Sequence, residues 1–144
     1  MDIFFATMPR SGSEFVIRLV RMLLGIEPSA IVSLTPGRMI NSQDGKSRIF
    51  QEMIDKGAEV DYLKQNNIRY VKIESPSNDV LCYDLSVSFP TSKWIASIRR
   101  IEEIIISHYN LKKWGWPERR ILNAYIHDLS FYEYMQSQGR FFCI

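Results

Sequence analysis

The sequence predicts an α/β domain, a three-layer sandwich whose mostly parallel sheet has about four or five strands. The prediction rests on three features. Short runs of β-forming residues alternate along the chain with segments of helical period. The first such run, Asp2 to Thr7, is apolar without alternation, the pattern of a strand buried on both faces of a parallel sheet. At Glu14 the period changes from that of a strand to that of a helix, across a tight turn.

Taken in order, Asp2-Ile-Phe-Phe-Ala-Thr7 is the first strand and Pro9 to Ser13 the turn. From Glu14 onward, Phe15, Val16, Leu19, Val20, Leu23 and Leu24 fall on one helical face, and Arg18 and Arg21 on the other. Gly25 ends this helix and Pro28 follows. Residues 26–47 carry Pro28, Pro36, Gly37, Asn41 and Gly45 and are expected to form a long loop with at most short helical turns. Ser47 to Asn66 has helical composition, broken near Gly57. A second strand is expected over Ile68–Ile73, then a short helix over Pro76–Leu85 capped by Ser75 or Ser77, and a third strand over Lys93–Ile98. Ile101–Lys113 reads as a helix. Pro117 opens a long helix with Ile121, Leu122, Tyr125, Ile126, Leu129, Tyr132 and Met135 along one face, and Gly139 stops it. Arg140–Ile144 reads as a last strand.

With 144 residues, one domain over 1–144 is the expectation. Hydrophobic residues at 46% and charged residues at 24% exclude global disorder. The 18 basic and 16 acidic residues leave a net charge of +2, too weak a bias to argue for a nucleic-acid partner, while a local basic site for a small anion stays open. Cys82 and Cys143 make neither a disulfide framework nor a zinc site, and both are expected in the core. Asp2 directly after Met1 and a short first apolar run do not read as a signal peptide. No segment approaches the ~18 apolar residues of a membrane span, so no membrane partner and a cytoplasmic location are expected.

Met8-Pro-Arg-Ser-Gly-Ser13 stands between a buried strand and an amphipathic helix, where α/β proteins hold anions. The first amides of a helix lack partners inside it, and the helix dipole adds partial positive charge. Gly12 permits close backbone approach, Ser11 and Ser13 add hydroxyls, and Arg10 adds a planar fork suited to phosphate or sulfate. An ordinary strand-to-helix turn capped by Ser13 is the competing reading. The loop is not a Walker A sequence: Thr7 stands where the first glycine belongs, Ser13 replaces the lysine and Glu14 the magnesium-binding hydroxyl. A magnesium-dependent kinase is thereby disfavoured, and no metal is expected.

A second pattern joins the first. Arg99 follows the third strand, and Ser107 lies eight residues on, within Ser107-His-Tyr109. Together with Pro9-Arg-Ser-Gly-Ser13 it resembles the sulfotransferase family, over roughly residues 2–25 and 68–144. The resemblance implies a P-loop type of nucleotide-binding fold and a donor, 3′-phosphoadenosine 5′-phosphosulfate. It implies that Arg10, Ser11, Gly12 and Ser13 bind the 5′-phosphosulfate and that Arg99 and Ser107 bind the 3′-phosphate. In Val71-Lys-Ile-Glu-Ser-Pro76 it places Lys72 near the bridging oxygen and Glu74 as general base, so Glu74, Lys72 and Arg10 are the implied catalytic residues. Three features depart from the family: Glu14 where a hydroxyl or small residue is usual, Arg100-Ile101 after the key arginine, and no match to the family's C-terminal Gly-rich segment.

The implied reaction is transfer of a sulfuryl group to an acceptor hydroxyl or amine, on a small molecule or carbohydrate gripped by residues 26–66. A nucleotide-binding module without catalysis and a small kinase-like phosphoryl transferase are the alternatives. Among other candidates, His108 is expected to pack or face solvent, and His127 lies inside the long helix. Trp94 is a core residue by its strand position. Trp114 and Trp116 wall a pocket, stack on adenine or simply pack, and Arg119-Arg120 reads as a solvated helix start.

Overall fold

Alternation along the first strand sets up both faces of the sheet. The computed structural model describes residues 1–34, 39–44, 47–55, 57–74, 81–112 and 115–144, with backbone alone for 39–44, 47–53 and 74. Strand β1 (Ile3–Thr7) is buried at every position. Ile3 and Phe5 join one apolar cluster, while Phe4 and Ala6 join another. Helix α1 (Ser13–Leu24) follows and packs Val16, Ile17 and Val20 on the first of these clusters.

A single tight helical turn (Pro28–Ala30) leads into β2 (Ile31–Leu34), and β3 (Met39–Asp44) and β4 (Ser47–Met53) form an antiparallel hairpin. Helix α2 (Glu59–Gln65), β5 (Tyr70–Glu74), α3 (Leu81–Ser88), β6 (Lys93–Ala96), α4 (Ile101–Asn110), α5 (Glu118–Ser137) and β7 (Phe141–Cys143) complete the order. The seven strands lie in the sequence β4-β3-β2-β5-β1-β6-β7. From β2 to β7 every neighbouring pair is parallel, and the β3–β4 hairpin extends the sheet antiparallel beyond β2. The α/β class with a mostly parallel sheet is therefore as expected, with helices on both faces.

Two segments differ from expectation. Residues 26–47, expected as a loop, contain β2 and β3. Residues 47–66, expected as a broken helix, contain β4 and the short α2. Among the described residues the parallel part of the sheet has five strands, within the expected four or five, and the antiparallel hairpin brings the whole sheet to seven. The physical reason is that Ile31-Val-Ser-Leu34 is short, and its stability comes from pairing with β5, a long-range contact that local composition does not report. The hairpin does carry a local signal: Gly45 and Lys46 stand between the two runs, and a glycine in first place suits a two-residue turn. Pro36, Gly37, Gly45, the Ser75 or Ser77 cap and Trp114 lie outside the described residues.

The helix faces are also narrower than the sequence implies. On α1, Phe15, Leu23 and Leu24 are exposed and Ile17 is buried. On α5 the buried stripe is Ile121, Ala124, Asp128, Phe131, Tyr132 and Met135, while Leu122 and Ile126 are exposed. A helix that meets the sheet along one contact line buries only the residues on that line. Trp94 is fully buried, stacked on Phe4 at 4.7 Å and edge-on to Phe131 at 5.0 Å. Cys82 is buried as expected, but Cys143 is exposed, because β7 is an edge strand. That edge is tied down by Arg140, whose guanidinium donates to the carbonyls of Ser86, Phe89 and Ser92.

Candidate functional site at the phosphate-type loop

The loop between β1 and α1 is held in a shape that its sequence alone does not choose. Arg10 takes a left-handed backbone with φ 65°, unusual for a residue with a Cβ. Gly12, with φ 90°, is the N-cap of α1, a position where a glycine meets no steric penalty. Ser13 is thus the first helical residue and not the cap. By position, the amides of Ser13 and Glu14 have no partner inside the helix and head its positive end.

Ser11 is buried, and its hydroxyl donates to the Met8 carbonyl at 2.7 Å. The expected hydroxyl donor is therefore spent inside the loop, where it fixes the turn. Ser97, just beyond β6, donates from its hydroxyl to the Ser11 carbonyl at 2.9 Å. Buried and on the far side of the chain, Ser97 is a positioning residue that the motif reading missed; its signal was a serine two residues before Arg99 at a strand end.

The two sequence motifs meet in space. Arg10 donates from Nε to the Ser107 hydroxyl at 2.9 Å, across 97 residues of chain. Arg99 donates from Nη1 to the Arg10 carbonyl at 3.2 Å and from Nε to the Glu103 carboxylate at 2.8 Å. Tyr125 of α5 donates its hydroxyl to the Arg99 carbonyl at 3.2 Å. Two guanidinium groups and a hydroxyl thus converge beside the head of α1, on the carboxyl edge of the sheet, where open α/β sheets place their ligands. Arg10 and Arg99 are both exposed, so their forks are within reach of an anion from solvent.

Glu14, the residue that departs from the family pattern, points away from this cluster. Its carboxylate accepts from Lys72 Nζ at 2.7 Å. Lys72 sits mid-strand on β5, level with Phe5 of β1 and Ser33 of β2, and its side chain is 13% exposed against 74% for Glu14. Glu74 ends β5 in register with Thr7, so its backbone lies at the same edge as the loop.

His108 and Trp116 pack against each other. His108 is buried, stacks on Trp116 at 5.3 Å, and accepts from the Trp116 amide at Nδ1. Burial, and then the positive charges of Arg10 and Arg120, push its pKa below the ordinary 6.5. Arg120 lies over the other partner in this stack, 3.9 Å from the Trp116 ring. Gly115 lets the chain pass close to this group, since a Cβ there would clash with the His108 carbonyl. His127 is exposed on α5.

Among the described residues, no helix is long and apolar enough to cross a membrane, and no group of three or more His, Cys, Asp or Glu is arranged to hold a metal ion. Comparison with known protein families, curated proteins and solved structures finds no match for this chain.

Proposed function

We propose that this chain is a sulfotransferase-like protein of P-loop type. It moves a sulfuryl group from 3′-phosphoadenosine 5′-phosphosulfate to an acceptor hydroxyl or amine. The observation that carries the reading is the contact of Arg10 with Ser107, backed by Arg99 on the Arg10 carbonyl. Two motifs far apart in sequence, which the resemblance assigns to the two ends of one nucleotide, lie within hydrogen-bond reach of each other.

In this reading the head of α1 and the Arg10 fork receive the 5′-phosphosulfate, and Arg99 and Ser107 receive the 3′-phosphate. The acceptor oxygen attacks sulfur as its proton passes to the Glu74 carboxylate. The bond from sulfur to the bridging oxygen breaks, leaving a sulfated acceptor and 3′-phosphoadenosine 5′-phosphate. Lys72 steadies the charge gathering on the bridging oxygen, for which it exchanges its contact with Glu14.

A second reading, a nucleotide-binding module without turnover, draws support from that same contact, because a lysine held by Glu14 is turned away from a leaving group. Calorimetric titration with 3′-phosphoadenosine 5′-phosphate tests both. Binding is expected without magnesium and is expected to weaken when the 3′-phosphate is removed. Equal affinity for nucleotides with and without that group would sink the family reading. A requirement for magnesium would move the assignment to phosphoryl transfer. Tight binding with no transfer from a labelled donor to pools of hydroxyl and amine compounds would favour the module.

A further inference from the structure

Beside α1, on the face of the sheet that this helix covers, lies an open cleft with a cavity volume of about 110 Å³. Its floor is made by β2 and β5 and one wall by α1. On this face the strands carry apolar residues at Ile3, Phe5, Ile31 and Ile95, as a sheet under a helix requires. At two adjacent positions they do not. Ser33 and Lys72 stand in register on neighbouring strands, and both line the cleft. A lysine with only 13% of its side chain exposed, on a strand flanked by strands, is costly to desolvate unless its charge is answered, here by Glu14.

The wall repeats this chemistry. Glu14, Arg18 and Arg21 are spaced to form one stripe along α1, and all three line the cleft. Among the described residues that line this concave site, three cationic side chains thus face the Glu14 carboxylate. The rise of about 1.5 Å per residue separates Glu14 from Arg21 by about 10 Å along the helix axis. Arg21 also donates from Nε to the Ile26 carbonyl at 3.3 Å, which anchors its side chain.

The geometry points to this cleft as a second anion site, distinct from the loop at Arg10. Its ligand is a small organic polyanion, with carboxylate or sulfate groups received by the forks of Arg18 and Arg21 and by Lys72. If the transfer reading above holds, on which this further step rests, the cleft holds the acceptor. The reacting group then lies at the Lys72–Glu14 end, next to the loop, with its acid groups about 10 Å down the helix. Acceptors would therefore be acidic, and the enzyme would act on chains or rings that already carry charge.

The test uses a disaccharide bearing two sulfate groups, titrated into the intact chain, with the unsulfated parent as control. Binding is expected for the sulfated compound alone, weakening as salt rises. The largest amide shifts by NMR are expected at Arg18, Arg21, Ser33 and Lys72. Arg18→Ala with Arg21→Ala is expected to weaken binding at least tenfold, or about 1.4 kcal/mol, and Arg10→Ala to leave it within about twofold of wild type. Because Arg21 anchors the end of α1, Arg18→Glu is the second variant; it reverses charge at an exposed position and is expected to abolish binding while the circular dichroism stays unchanged. Equal binding of the unsulfated parent, equal binding by either cleft variant, or shifts confined to Gly12, Ser13 and Arg99 would each overturn the proposal. Disaccharide binding without any binding of 3′-phosphoadenosine 5′-phosphate would uphold the cleft and remove the reading on which its acceptor role depends.

Discussion

The two faces of the sheet are packed differently. On one face, α2 to α5 bury Phe4, Trp94, Phe131, Tyr132 and Met135 in a continuous aromatic and aliphatic core. On the other, among the described residues, α1 covers a smaller cluster, and the floor beside it carries Ser33 and Lys72. Tyr132 belongs to the first face in its energetics too: buried, it donates its hydroxyl to the Ala6 carbonyl at 2.7 Å, and burial first, then Asp128, pushes its pKa well above the usual 10.0. If the proposed sites hold, the contrast implies that stability and ligand chemistry are separable in this chain. A change on the core face should cost folding without touching the site, and a change at the loop or under α1 should do the reverse.

The strongest test of that separation is Trp94→Ala. Trp94 is wholly buried between Phe4 and Phe131, and loss of such a side chain typically costs about 3–5 kcal/mol. Urea unfolding should report a loss of that size, while the folded fraction binds nucleotide with unchanged affinity. A loss of binding in step with stability would mean that the two faces are coupled.

Next in size is Arg10→Ala. Its guanidinium is exposed and bonds the Ser107 hydroxyl, so its removal should leave the fold intact. Nucleotide binding is expected to weaken by about 1.5–3 kcal/mol, the range for hydrogen bonds to charged groups. Calorimetry on a variant with wild-type unfolding midpoint makes this measurement. Undiminished affinity would remove the loop from the site.

How much of this was legible follows from where each signal resides. The loop and the second arginine were readable because each is a local pattern at a strand end, and β1, β5, β6 and β7 were readable because their residues are β-formers flanked by turns. The strand β2 was not, because its parallel partner β5 lies far along the chain; β3 and β4 pair with each other as a local hairpin, but their polar residues between prolines and glycines read as loop and helix. The direction of Glu14 was equally hidden: its partner Lys72 is 58 residues away. Ser11 was read as a ligand donor, and the structure turns its hydroxyl onto Met8, while Ser97, 86 residues away, donates to its carbonyl. Residue type proposed the chemistry; only the third dimension decided which groups are turned outward.

A smaller effect is expected from pH through His108. Its folded-state pKa lies below 6.5, because burial and the charges of Arg10 and Arg120 disfavour the imidazolium. The unfolded chain therefore binds more protons between the two pKa values, and stability must fall as pH falls from 6.5 through the folded value, with no contribution above 6.5. Unfolding midpoints compared at about pH 8 and about pH 5 should show this loss, and His108→Gln should reduce it. An unchanged slope in that variant would assign the acid sensitivity to other groups.

The smallest expected effect concerns the Lys72–Glu14 pair, and it bears most directly on the comparison between faces. The contact is short at 2.7 Å, which invites a large stabilising role. Yet Glu14 is 74% exposed, so water and salt screen the pair from one side, and the desolvation of Lys72 offsets part of the attraction. Exposed pairs typically couple by about 0.2–1 kcal/mol, and this pair should fall within that range. A double-mutant cycle with Glu14→Gln and Lys72→Met, read by urea unfolding at low and high salt, measures the coupling. If the pair serves the ligand face, Glu14→Gln should leave stability nearly unchanged. It should also strengthen binding of the sulfated disaccharide, because the negative charge that Glu14 brings to the cleft is gone. A coupling several-fold above that range, with no gain in anion affinity, would make the pair a structural brace and would erase the division of labour between the two faces.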